Sequence, residues 1–236
     1  ATDLSLSYGM IGKYQDSWQK IKELGSSDLI KWESEDLIHW SLSKPVTVGD
    51  ESLGCCWAPD IIWDRKTNDY IVHWSSPQKI DGYQKMAIYY ARTKDFKNFT
   101  EPKVLYEKAD GSVIDSAIYE EDGRYYLFVK SDENPTTLLL LSSEDIAGPY
   151  KRVEAFDQKM KKIEQGLYEA PTAVKLKDDK WYLFLDYYGA TTASGHGYVP
   201  FVANSLALGN FERCDVDFSF PYGFKHGTII EISDEE

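Results

Sequence analysis

The chain has 236 residues, a formal net charge of −13 and a pI near 4.8, a balance that argues against nucleic acid or an anionic membrane surface as partner. One domain spanning residues 1–236 suits this length, and no apolar run approaches the ~20 residues needed to cross a bilayer. Three cysteines, two of them adjacent at Cys55 and Cys56, build neither a disulfide framework nor a paired CxxC metal site. No signal peptide is visible, so secreted and cytoplasmic locations both stay open. Aromatic residues make up 14 % of the chain, which suits an all-β protein or a sugar-binding cleft.

In chain order, Ala1–Leu6 reads as a short strand and the polar stretch Ser7–Gly25 as a long loop. Asp28–Trp40 predicts a strand, a turn and a closing aromatic. Trp57-Ala-Pro-Asp60-Ile-Ile-Trp63 predicts a leading strand, Asn68-Asp69 a turn and Tyr70–Trp74 an aromatic second strand. The pattern recurs from Ser112 to Phe128, with Asp115 inside the leading strand and a turn at Asp122-Gly123. It recurs again at Tyr168–Val174, Asp178-Asp179 and Trp181–Leu185. Met86–Ala91 and Thr137–Ser142 read as third strands. A polar–polar–Asp–apolar turn with an aromatic close follows at Thr93–Phe99 and Ser143–Tyr150, and more weakly at Ala203–Phe211. Phe156–Gln165 suits a short helix between repeats, and Lys225–Ile232 an unpaired strand.

Tyr70, Tyr126 and Tyr182 fall 56 residues apart. Tandem units of four strands predict an all-β fold of propeller type. Asp60, Asp115 and Glu169 then take one position in three successive leading strands, and carboxylates converging on a pocket are what glycoside hydrolysis needs. In the complete copies the strand acid precedes the turn marker (Asp95, Asp145, Ser205) by 30–36 residues. Counting back from Asp36 by that amount lands between Leu6 and a point just before Ala1, so the first blade is expected to be incomplete at the N-terminus. An open blade edge invites pairing, which predicts a homo-oligomer completing the first blade.

Six stretches together resemble glycoside hydrolase family 43, in particular its exo-acting α-L-arabinofuranosidase branch: Gly25–Trp40, Trp57–Asp60, Ser112–Ser116, Tyr168-Glu169-Ala-Pro171, Gly197–Phe201 and Lys225-His226-Gly-Thr. They are spread over almost the whole chain in family order. The resemblance implies a five-bladed β-propeller and release of terminal α-L-arabinofuranosyl units, with inversion, from arabinan or arabinoxylan-derived oligosaccharides. It implies Glu169 as general acid, Asp115 as the Asp that tunes it, and His226 as an axial histidine beside a bound metal. That metal would be a structural Ca²⁺ or Na⁺, not required for the chemistry. The family's base sits in an Asp-Pro motif on the innermost strand of blade one. No counterpart is found here, and Asp3 is the only acid near the projected place.

A general acid at neutral pH must hold its proton, and a nearby anion promotes that by disfavouring a second charge. Asp115, one repeat from Glu169, is placed to do so. The plain alternatives are an exposed loop acid for Glu169 and a buried turn cap for Asp115. Asp60 either lines the pocket or bonds backbone amides, and Trp57 and Trp74 either stack on a sugar or pack in the core. Ser116 is expected to contact the ligand and Phe201 to wall the pocket. Rivals on the same scaffold are a β-xylosidase and an endo-arabinanase. The rival from another class is a carbohydrate-binding propeller without catalysis, which the missing base suits. A protein-interaction propeller is disfavoured by acids on inner strands and the absence of a WD signature.

Overall fold

The computed structural model describes residues 1–4, 12–133, 136–163, 167–189, 197–214, 218, 220, 225–230 and 232. The chain divides into two compact units, Ala1–Ile114 with Ile232–Glu236, and Asp115–Glu231.

In the first unit, helix α1 (Trp18–Leu24) replaces part of the expected loop. Ser17 caps it, its Oγ accepting from Lys20 N–H at 3.3 Å, and Gly25 N–H closes it on Ile21 O at 2.8 Å. At seven residues it is too short to show a helical period inside a polar stretch. Strands β1 (Asp28–Lys31) and β2 (Lys44–Thr47) pair antiparallel, and Thr2 bridges Leu29. Of the expected opening strand only this bridge is seen, and Leu6 lies outside the described residues. Strands β3 (Trp57–Asp64), β4 (Asp69–Pro77), β5 (Met86–Thr93) and β6 (Lys103–Tyr106) form a four-stranded antiparallel meander.

In the second unit, β7 (Val113–Glu121, its first two residues counted with the first unit), β8 (Arg124–Ser131), β9 (Thr137–Ser143) and β10 (Lys151–Arg152) repeat the meander. So do β11 (Tyr168–Lys175), β12 (Trp181–Tyr187), β13 (Gly197–Ala203) and β14 (Glu212–Arg213). Helix α2 (Glu154–Met160) lies within two residues of the predicted start and buries Phe156 and Met160. Phe128, Phe156 and Phe211 form an edge-on trio in the core, with centroids 5.7–5.9 Å apart. Buried Glu121 locks the sheets of this unit together. Its oxygens accept from Trp181 Nε1–H at 2.6 Å, Ser205 Oγ–H at 2.7 Å and Leu206 N–H at 2.8 Å.

The recurring Asp turn has a local cause. Asp36 Oδ1 accepts from the backbone of Ile38 and His39, Asp95 Oδ1 from Lys97 and Asn98, and Asp145 Oδ1 from Ala147, at 2.7–2.9 Å. In the weaker fourth copy Ser205 Oγ does this for Ala207 at 3.1 Å. The β7–β8 hairpin turns through Asp122 and Gly123 at φ 53° and 76°, the two left-handed residues of a type I′ turn. A Cβ on Gly123 would meet nothing within 4 Å, so substitution there tests backbone strain alone. Gly123→Ala is expected to cost about 1–2 kcal/mol in urea unfolding. An unmoved midpoint would show that the turn does not need left-handed geometry.

The expected C-terminal strand is not formed among residues 225–230 and 232. His226 at φ 46° breaks the extended run, and side chains hold the segment instead of a ladder.

Candidate functional site

Two of the leading strands break their ladders close to their acids. The register shifts between Trp57 and Asp60 in β3, with Ala58 at φ 45°, and between Glu169 and Thr172 in β11, with Ala170 at φ 49°. In β7 the left-handed residue is Asp115 itself, at φ 54°. The expectation that Asp60, Asp115 and Glu169 share one position is therefore corrected. Trp57-Ala-Pro-Asp60 matches Glu169-Ala-Pro-Thr172, so Asp60 aligns with Thr172, Trp57 with Glu169, and Asp115 with Ala170. An offset of one residue turns a strand side chain to the other face, and a bulge re-aims it. Each non-glycine residue in this conformation costs of order 1–3 kcal/mol, strain that concentrates at functional sites.

In the second unit Asp115, Glu169 and His226 come together, one donor atom of each lying within 4.8 Å of the others. The leading strands β7 and β11 are tied side by side there. Ala170 N–H donates to Asp115 Oδ2 at 3.3 Å, and Ala173 N–H to Tyr119 Oη at 2.7 Å. Both Glu169 oxygens are engaged: Lys130 Nζ donates to Oε2 at 2.5 Å, and His226 Nε2 stands 3.1 Å from Oε1. Lys130 reaches in from β8, its ammonium 4.5 Å from the Tyr188 ring centre. Directly opposite Glu169 on β12 is Asp186, fully buried, with Oδ2 3.4 Å from both Lys225 Nζ and His226 Nε2.

Burial pushes the Asp115 carboxyl up, with Glu169 adding to the shift and His226 opposing it. Burial pushes Glu169 up as well, but hydrogen bonds from His226 and Lys130, with their charges, outweigh it and hold that carboxyl at about 2. The expected protonation is thus reversed in the free site. Burial favours the protonated form of Asp115, while the contacts from His226 and Lys130 favour the ionised form of Glu169. The hydrogen bond to Glu169 raises His226, and burial raises Asp186 against the pull of Lys225 and His226.

Asp115, Glu169 and His226 are close enough to share one cation. However, the ammonium on Glu169 and the imidazole already supply the positive charge that an ion would bring. With Lys130 and His226 already on its oxygens, Glu169 fits direct coordination of a metal poorly.

Two of the expected substrate contacts are core residues. Trp74 is fully buried in the first unit, and Phe201 is 1 % exposed with its ring 5.7 Å from Tyr168. Neither presents a face to a sugar; Phe201 supports the strand head that carries Glu169. Ser116 is buried beside Asp115. Trp57 and Asp60 belong to the first unit. Trp57 is partly buried, edge-on to Trp18 at 6.1 Å, while burial pushes Asp60 up to about 7 although Ile61 N–H donates to it. Asp60 stands opposite His73, which burial pushes down to about 3.

Lys130 and Asp186 were not expected. A signal for them exists: each falls four residues after a periodic tyrosine, Tyr126 and Tyr182, where the first repeat has Trp74 after Tyr70. Charge at a position that is otherwise core marks a strand end carrying chemistry.

Tandem antiparallel meanders with carboxylates and a histidine gathered at strained strand heads define an all-β repeat protein with a carboxylate-centred site. A family model described as a probable glycosyl hydrolase domain, related to glycoside hydrolase family 43, matches residues 1–236, and the chain belongs to that family. It is 28 % identical over 225 residues to an α-L-arabinofuranosidase of Bifidobacterium longum subsp. longum, a match covering 78 % of this chain and 20 % of that protein. The chain thus spans about a fifth of the length of this curated relative. Among solved structures, a thermostable family-43 glycoside hydrolase is similar with a TM-score of 0.60 at 18 % identity, over 81 % of this chain and 67 % of that one. An exo-β-1,3-galactanase from Phanerochaete chrysosporium gives 0.58 at 18 %, over 80 % and 44 %. At this identity they carry the fold, which is the β-propeller of family 43; four of its sheets are among the described residues.

Proposed function

We propose that this chain releases terminal α-L-arabinofuranosyl units from arabinan or arabino-oligosaccharides, with inversion. The observation that carries this reading is the Asp115–Glu169 pair at two neighbouring strand heads, in a chain related to an arabinofuranosidase. With carboxyl oxygens inside 4.8 Å, the pair is too close to be the acid and base of an inverting enzyme, which stand ~6.5–9.5 Å apart around a water. On the inverting reading one member acts as acid and the other tunes it, with the base a third group outside the pair; a retaining enzyme would instead use a pair about 5–5.5 Å apart as acid and nucleophile. Glu169 is the acid, because Asp115 is the more deeply buried. A leaving-group oxygen arriving at Oε2 takes the place of the Lys130 ammonium. That removes one of the hydrogen bonds holding Glu169 ionised, so the carboxylate takes up one proton from solvent as substrate binds, passes it to the departing oxygen as the glycosidic bond breaks, and is left ionised again.

The test is incubation with short α-1,5-arabino-oligosaccharides, following free arabinose and its first-formed anomer by NMR. The β-anomer is expected first, and the α-anomer first would exclude the assignment. Galactose released from β-1,3-galacto-oligosaccharides instead would keep the glycosidase and replace the sugar. A binding module without catalysis is favoured by one observation, the Lys130 and His226 contacts that occupy both Glu169 oxygens. Calorimetric binding of arabinotriose without any turnover would select it.

A further inference from the structure

We propose that Asp186 is a positioning residue, seating the Lys225–Gly227 segment on the β11–β12–β13 sheet so that the His226 ring meets Glu169. The inference rests on the reading of Glu169 as the reacting acid. Glu169, Asp186 and Tyr198 pair directly across the three strands, so their side chains form one row on one face of the sheet. Each member of the row holds the same three-residue segment. Glu169 Oε1 meets His226 Nε2 at 3.1 Å. Asp186 Oδ2 stands 3.4 Å from Lys225 Nζ and from His226 Nε2. Tyr198 Oη donates to Gly227 O at 3.1 Å and accepts from Gly227 N–H.

Asp186 is the centre of that row, is fully buried, and its oxygens accept no well-formed hydrogen bond among the described residues. A buried carboxylate beside a second carboxylate is costly unless positive charge compensates it, which the Lys225 ammonium supplies and the His226 ring adds to when protonated. His226 sits at φ 46°, a left-handed conformation that a non-glycine residue keeps only where its surroundings over-determine it. The free segment would not hold that shape, and the row does. Asp186 seats the imidazole against the acid, and its charge also lies directly across the strand pair from Glu169.

The experiment uses the whole chain with two readouts. One is kcat and KM on 4-nitrophenyl α-L-arabinofuranoside and on arabinotriose. The other is the ¹⁵N–¹H spectrum of the histidine side chains, with the His226 signal assigned by its loss in His226→Gln. Asp186→Asn keeps the size and removes the charge. It is expected to lower kcat on arabinotriose on the order of 10²-fold and on the nitrophenyl arabinoside by less than about tenfold, with KM within about twofold, and to move the His226 ring resonances. Lys225→Gln, on a side chain 41 % exposed, removes one of the two ion pairs. It is expected to move the same resonances in the same direction, with a smaller loss of kcat. A folded Asp186→Asn protein with His226 resonances and kcat like the wild type overturns the proposal. If that variant does not fold, Lys225→Gln decides in the same way. If the wild type turns over neither arabinoside, the functional reading fails, while the ring resonances still decide whether Asp186 seats the histidine.

Discussion

Glu169→Gln is expected to lower kcat on arabinotriose by about 10³-fold or more, while its binding stays within a few-fold. General acid catalysis contributes ~10²–10⁴-fold, and 10³ corresponds to about 4 kcal/mol of barrier. The amide keeps the size of the side chain, and its oxygen still accepts from Lys130, now 2.5 Å from Oε2. What it loses is the proton to give. The loss should therefore depend on the leaving group. With 4-nitrophenyl α-L-arabinofuranoside, whose departing oxygen needs little protonation, the deficit should shrink to about tenfold. Equal losses on both substrates would mean that Glu169 positions the sugar and is not its acid.

The architecture was legible because its signals are local. Tyrosines 56 residues apart, Asp-capped turns and the Asp122-Gly123 hairpin each follow from short-range rules, and the strands they predict are present. Asp115, Glu169 and His226 were legible as a set, and the fold does gather them. Their electrostatics were not. The sequence shows an anion near Glu169 but does not show that Lys130, 39 positions away, closes on it from the neighbouring sheet. The mismatch of Asp60 with the other acids also escaped, because Asp60 sits three positions past Trp57, the residue that matches Glu169, a small offset within a 56-residue repeat. Trp74 and Phe201 show the general ambiguity of aromatics, since a residue suited to stacking on a sugar is equally suited to a core.

Lys130→Met is expected to lower stability near neutral pH by about 2–3 kcal/mol, a loss that fades in acid. The side chains of Lys130 and Glu169 are only 14 % and 18 % exposed, and removing one partner of a largely buried pair leaves the other uncompensated. The pH dependence follows from the depressed carboxyl. The folded pKa of Glu169, about 2, lies below its ordinary 4.5, so the stability it contributes is fully present above about 4.5. That stability is lost as pH falls through the folded value. The gap between wild type and variant should therefore close between about pH 4.5 and 2. Asp115 and Asp186 have the opposite sign, being raised; the Asp186 effect is common to both proteins, while Lys130 also pulls Asp115 down, so its loss adds to the gap where Asp115 is ionised and likewise fades in acid. Urea unfolding at about pH 7, 5 and 3 measures the gap directly. A gap of constant size would assign the role of Lys130 to packing on Tyr188 instead of charge. The same substitution removes a hydrogen bond that keeps Glu169 ionised, so the alkaline limb of the kcat profile should move to higher pH. A cation that stabilises the fold thereby restrains the acid, and the substrate's leaving group is what relieves the restraint.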